Sequence, residues 1–124
     1  MKVLLVEDEP DMVALLEATL TPAGFEVRSE RGGDRIADVL QEYDPQVVIV
    51  DVMLFGSELD GFAVVERIRR VPGHERTLVV VLTALSGEDY RRRALEAGAD
   101  IFVNKPFSPL KLLQKIQSAE IVTD

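Results

Sequence analysis

Two runs of this 124-residue chain, Val47-Val48-Ile49-Val50 and Leu78-Val79-Val80-Val81-Leu82, are apolar at every position. A strand with one wet face alternates apolar and polar residues, whereas a strand covered on both faces does not. Short, β-branched and bounded by turn residues, these runs read as interior strands of a parallel sheet flanked by helices. Five strands are expected in all: Lys2–Val6, Phe25–Ser29, Gln46–Val50, Leu78–Leu82 and Ile101–Val103.

Segments of helical period separate them. The first runs from about Pro10 to Leu20, with Val13, Leu16 and Leu20 on one stripe, and Pro22 predicts an early end or a distortion. The second spans about Asp34–Tyr43, and the third starts near Asp60-Gly61 and carries Phe62, Val65 and Ile68. The fourth covers about Glu88–Ala97 with Gly98 after it, and the fifth opens with Ser108-Pro109, an N-cap followed by proline at N1. Alternation of this kind gives an α/β fold: a (βα)5 doubly wound parallel sheet in the flavodoxin-like strand order 2-1-3-4-5. Right-handed crossovers then put helices one and five on one face, and two, three and four on the other. The domain is expected over residues 1–120, with 121–124 as a tail or linker stub.

Composition narrows the function. There is no cysteine, which removes disulfides, Cys-based zinc sites and thiol nucleophiles. Fourteen Lys and Arg against 22 Asp and Glu give a formal charge of −8, a field that argues against nucleic-acid binding by this domain. No apolar run is long enough to span a bilayer, and Glu7-Asp8 cuts off the apolar opening too early for a signal peptide. A soluble cytoplasmic domain without a membrane partner is expected.

In doubly wound sheets ligands bind beyond the carboxyl ends of the strands. There the first strand is followed by Glu7-Asp8, the third by Asp51, the fourth by Thr83 and the fifth by Lys105-Pro106. Converging carboxylates repel one another unless a cation neutralises them, and an all-oxygen ligand set favours Mg²⁺. Carboxylates, Mg²⁺, one Lys and one Thr together can hold a phosphoryl group. Singly, Glu7 or Asp8 is better read as a helix cap, Thr83 as a strand-end residue, Lys105 as a surface charge and Phe102 as half-buried core. His74, in a Pro-Gly loop, reads as neither ligand nor catalyst, and Arg91-Arg92-Arg93 as a solvated helix face.

The pieces Val3-Leu4-Leu5-Val6-Glu7-Asp8-Glu9-Pro10, Val48-Ile49-Val50-Asp51, Leu82-Thr83-Ala84, Ala94-Leu95-Glu96-Ala97-Gly98-Ala99-Asp100 and Lys105-Pro106-Phe107 occur in order along the chain. So arranged, the sequence resembles the receiver domain of two-component response regulators over essentially its whole length. The resemblance implies that Asp51 is the phosphoacceptor and that Glu7, Asp8, Asp51 and the backbone carbonyl of Met53 hold Mg²⁺. It further implies that Thr83 and Lys105 contact the phosphoryl oxygens, that Thr83 and Phe102 form the switch, and that Lys105-Pro106 is cis. The implied partner is a sensor histidine kinase or a phosphotransfer protein, and the face of helix 4, strand 5 and helix 5 is the one on which a homodimer would form. Such a domain is no enzyme in the usual sense, since it catalyses only its own phosphorylation and dephosphorylation.

Two departures stand out. Phe55 occupies the position where the family usually has Pro, and Asp60-Gly61 comes about two residues late, so the Phe55–Leu59 loop is longer. Two other readings stay open: an Asp-nucleophile phosphohydrolase, which would want a second Asp where Met53 stands, and a receiver-like docking domain that takes no phosphate.

Overall fold

The computed structural model describes residues 1–52, 60–84 and 87–123, with side chains through Ala119. Met53, the longer Phe55–Leu59 loop and Leu85 lie outside the described residues. The strands are β1 (Lys2–Val6), β2 (Glu26–Glu30), β3 (Val47–Asp51), β4 (Leu78–Thr83) and β5 (Ile101–Asn104). The helices are α1 (Pro10–Leu20), α2 (Ile36–Tyr43), α3 (Gly61–Arg70), α4 (Glu88–Ala97) and α5 (Pro109–Thr123). All strand pairs are parallel, in the order β2-β1-β3-β4-β5.

Alternate residues of each strand feed two separate cores. Leu4, Val6, Val48, Val50, Val79 and Val81 pack with α2, α3 and α4. Val3, Leu5, Val47, Ile49, Val80 and Leu82 pack with Leu16 and Leu20 of α1 and Leu112 and Ile116 of α5. The helices therefore divide between the faces as right-handed crossovers require. Every residue of β3 and β4 is buried, which is why neither run alternates. Each of their apolar side chains contributes roughly 1.5–3 kcal/mol by leaving water.

Helix ends follow local chemistry. Past α1, Pro22 sits in a 3-10 turn over Thr21–Ala23 rather than a further α turn. The Asp60 carboxylate accepts from the Ala63 N–H at 2.8 Å and caps α3. Gly98 closes α4 at φ 116°, a left-handed conformation that favours glycine. The α5 helix continues past residue 120 through Thr123.

Strands β3, β4 and β5 each run one residue beyond their last apolar position, because the backbone ladder continues after the side chains turn polar. Asp51 pairs with Leu82, and Thr83 with Asn104. Strand β2 starts at Glu26 rather than Phe25, whose N–H is taken by the Leu20 carbonyl while its ring packs in the core. At the far end of α3, the Arg69 guanidinium bonds the carbonyls of His74, Glu75, Thr77 and Gly98 and the Asp100 carboxylate. That one side chain ties the start of β4 to the turn before β5.

Candidate functional site at the carboxyl edge of the sheet

Each polar residue expected at the strand ends, where described, lies at that edge. Glu7 and Asp8 follow β1, Asp51 and Thr83 close β3 and β4, and Lys105 follows β5. Oxygens of Glu7, Asp8 and Asp51 come within 4.8 Å of one another. Lys105 reaches the same point: its Nζ lies 2.6 Å from Asp51 Oδ2. The Lys105-Pro106 peptide is cis, as the resemblance implied.

Burial separates residues that look alike in sequence. Glu7 and Asp51 are each 4% exposed and Thr83 is fully buried, whereas Asp8 stays partly exposed. Glu7 does not cap α1. Its N–H donates to the Glu30 carbonyl at 2.9 Å, extending the β1–β2 ladder, and Glu9 takes the N-cap position without a side-chain bond. Neither Glu7 carboxyl oxygen accepts a hydrogen bond from the described residues. An ionised carboxylate in that position is costly.

Burial is also the main reason the Glu7 carboxyl is pushed up from 4.5 to about 8. A proton it retains can be donated to Asp51, which adds to the rise, as does the Asp51 charge. Lys105 opposes it and Asp8 reinforces it. Among the described residues, three carboxyl groups, two of them buried, face the one Lys105 ammonium, and the raised proton affinity of Glu7 marks a site short of positive charge. An oxygen-only donor set with that deficit fits a hard divalent cation, Mg²⁺ being the natural one.

The remaining parts are coupled through backbone. The Lys105 N–H donates to the Thr83 carbonyl at 2.8 Å, so the cation and the hydroxyl share one main-chain link. Phe102, half-buried, packs against the core under α2, α3 and α4. A cavity of about 280 Å³ adjoins the carboxylates, lined by Glu7, Asp8, Pro10, Val13, Ser29 and Arg31 among others. A second, of about 330 Å³, lies at the opposite edge around Asp44, His74 and Thr77, away from the cluster.

His74 is only 4% exposed, which its loop sequence did not suggest. It is wedged between Thr77 Oγ1 (2.7 Å) and Asp44 Oδ1 (3.4 Å) and has no part in the cluster. Arg91, Arg92 and Arg93 are exposed as expected, with Arg93 over the Phe62 ring at 4.4 Å. Sequence reasoning took Asp60-Gly61 as a helix start alone. Gly61 also sits against the backbone that follows Asp51, its N–H donating to the Val52 carbonyl at 3.3 Å, and its signal in the sequence is the Asp-Gly pair that the receiver resemblance puts at this helix start.

Comparison with known proteins gives a consistent picture. A family model described as "Response regulator receiver domain" matches residues 3–117. The chain is 40% identical over 119 residues to the transcriptional regulatory protein GltR of Pseudomonas aeruginosa, covering 94% of this chain and 47% of that protein. It is 38% identical over 117 residues to the phosphate regulon transcriptional regulatory protein PhoB of Rhizobium meliloti, covering 94% and 51%. The chain thus spans about half the length of these relatives. Among solved structures, it is similar to the BeF3-activated N-terminal receiver domain of Klebsiella pneumoniae RstA, with TM-score 0.84, 30% identity, and 96% and 97% of the two chains covered. The Vibrio cholerae chemotaxis protein CheY4 superposes with TM-score 0.86 at 28% identity, covering 95% and 97%.

Proposed function

This chain belongs to the response regulator receiver domain family, and from that premise we propose that it is a phosphoryl-accepting switch with Asp51 as the acceptor. The observation that carries the proposal is the buried Asp51 carboxylate, 2.6 Å from Lys105 Nζ and grouped with Glu7 and Asp8. An Asp51 oxygen attacks the phosphorus of a phosphohistidine on a sensor kinase or phosphotransfer protein. The P–N bond breaks, the histidine nitrogen leaves with the electron pair, and an acyl phosphate forms on Asp51.

Glu7, Asp8 and Asp51 would hold Mg²⁺ together with the Met53 carbonyl, which lies outside the described residues. The ion supplies charge neutralisation of the phosphoryl oxygens when bound. Lys105 then pairs with a phosphoryl oxygen in place of its bond to Asp51. The Thr83 hydroxyl donates to another, and the half-buried Phe102 repacks as Thr83 moves. The switched surface is the α4, β5 and α5 face, on which a second copy would pair. No helix among the described residues is long and apolar enough to cross a membrane, and the cytoplasm is the proposed location. The two relatives named above are transcriptional regulators of about twice this length, and control of transcription is the proposed output of the protein in which this domain acts.

The test is intact-mass analysis after treatment with acetyl phosphate and Mg²⁺. Wild type should gain one phosphate and Asp51→Asn none; equal labelling of the two defeats the assignment. Turnover of p-nitrophenyl phosphate would favour a phosphohydrolase, and absence of labelling together with absence of Mg²⁺ binding a docking domain.

A further inference from the structure

Helix α3 begins directly on the strand that carries the acceptor. The Gly61 N–H donates to the Val52 carbonyl at 3.3 Å. A Cβ at position 61 would lie 2.5 Å from Val52 Cα, 2.9 Å from the Asp51 carbonyl oxygen and 3.1 Å from the Val52 nitrogen. All three are main-chain atoms, which cannot swing aside as a side-chain tip can. Nor can the peptide between Asp51 and Val52 retreat, because the Val52 N–H is bonded to the Leu82 carbonyl of β4 at 3.0 Å. The peptide that follows the acceptor is wedged between α3 and β4.

We propose that Gly61 is a positioning residue for Asp51: its missing side chain sets how closely α3 seats on the Asp51–Val52 peptide, and so aims the Asp51 carboxylate at Lys105 and at the Glu7–Asp8 pair. The inference rests on the function proposed above. A methyl group at 61 has to displace this peptide by roughly 1 Å to reach ordinary contact, a misplacement that can cost about a hundredfold in a positioned reaction.

Gly33 provides the control. A Cβ there would meet the Val64 side chain of the same helix, and its three nearest neighbours are all atoms of that side chain rather than main chain. Gly61→Ala, Gly33→Ala and wild type are compared by urea unfolding, by calorimetric Mg²⁺ titration, by the Lys105 amide shift in NMR spectra, and by initial phosphorylation rates over a range of acetyl phosphate. Sucrose is added where a variant needs it to stay folded. Both variants should lose stability. Only Gly61→Ala should bind Mg²⁺ about five- to twentyfold more weakly, move the Lys105 amide, and lose about ten- to a hundredfold in maximal rate at saturating Mg²⁺. Wild-type Mg²⁺ affinity and rate in folded Gly61→Ala overturn the proposal, as do equal losses in Gly33→Ala. A Gly61→Ala chain that stays unfolded in sucrose makes the residue a need of the fold rather than of the site, and overturns it too. Failure of wild type to be labelled at Asp51 defeats the functional reading instead, while the Mg²⁺ and amide-shift comparisons still test the positioning.

Discussion

Glu7 should make the metal-free protein less stable as pH rises, which is the reverse of the usual carboxylate behaviour. Its carboxyl is held at about 8 in the folded chain, mainly by burial, against 4.5 when unfolded. Below 4.5 both states carry the proton, and the raised value contributes its full stabilisation. Between 4.5 and 8 the folded state keeps a proton that the unfolded state has lost, so stability falls toward alkaline pH. One proton corresponds to about 1.4 kcal/mol per pH unit, and between pH 5.5 and 7.5 the loss comes to about 2–3 kcal/mol. Mg²⁺ must displace that proton, so its affinity should rise up to about tenfold per pH unit until about pH 8. Glu7→Gln carries no titrating group and keeps nearly the same shape. Urea unfolding in EDTA at the two pH values, wild type against Glu7→Gln, isolates the proton held between Glu7 and Asp51, because groups away from that pair contribute to both curves. Wild type should lose about 2–3 kcal/mol more than the variant on going to pH 7.5. Parallel losses would refute the argument, since Glu7 would then hold no proton to release.

Three further outcomes are expected. Lys105→Ala should bind Mg²⁺ at least as tightly as wild type, having lost a competing cation, yet phosphorylation should cause much smaller NMR shifts in β4 and β5; abolished Mg²⁺ binding with normal shifts would reverse the roles assigned here. By the receiver resemblance, the positions two after Asp51 and two after Thr83 flank the path of the hydrolytic water, and here they are Met53 and Leu85. Met53→Asn with Leu85→Glu should shorten the phosphoprotein lifetime roughly tenfold to a hundredfold, equivalent to about 1–3 kcal/mol of barrier, because Met and Leu neither orient a water nor accept its proton, and equal decay after donor removal rules that account out. Arg69→Met should cost roughly 2–4 kcal/mol in urea unfolding and speed amide exchange between residues 74 and 79 and near Gly98, while leaving Mg²⁺ affinity unchanged, because the carbonyls it bonds lie far from the carboxylates.

What the sequence made legible is what short-range pattern encodes. Val47–Val50 and Leu78–Leu82 could be placed inside the sheet because burial on both faces removes alternation, and Pro10, Gly98 and Ser108 mark helix ends through backbone chemistry of their own. Strand β2 was less distinct, since an edge strand with charged residues in water carries little periodic signal. Arg69 reads as an ordinary last-turn cation because its five acceptors come from segments that sequence does not bring together. The burial of His74 is hidden for the same reason: a lone histidine between turn residues gives no hint that Asp44, thirty positions earlier, closes over it.

The carboxylates show where the boundary falls. Their location at the strand ends follows from sheet topology, yet Glu7 and Asp8 are adjacent acids, and in sequence a cap and a ligand look the same. The deciding fact is a main-chain bond, Glu7 N–H to the Glu30 carbonyl, which keeps Glu7 in the ladder for one residue past β1 and delays the helix until Pro10. Held as ladder rather than cap, Glu7 turns its carboxyl inward beside Asp51, where burial and the neighbouring charge raise its proton affinity. The charge deficit that fits a divalent cation is thus produced by strand pairing with β2, an element that contributes no ligand of its own. A site legible residue by residue acquires its electrostatics from the backbone around it.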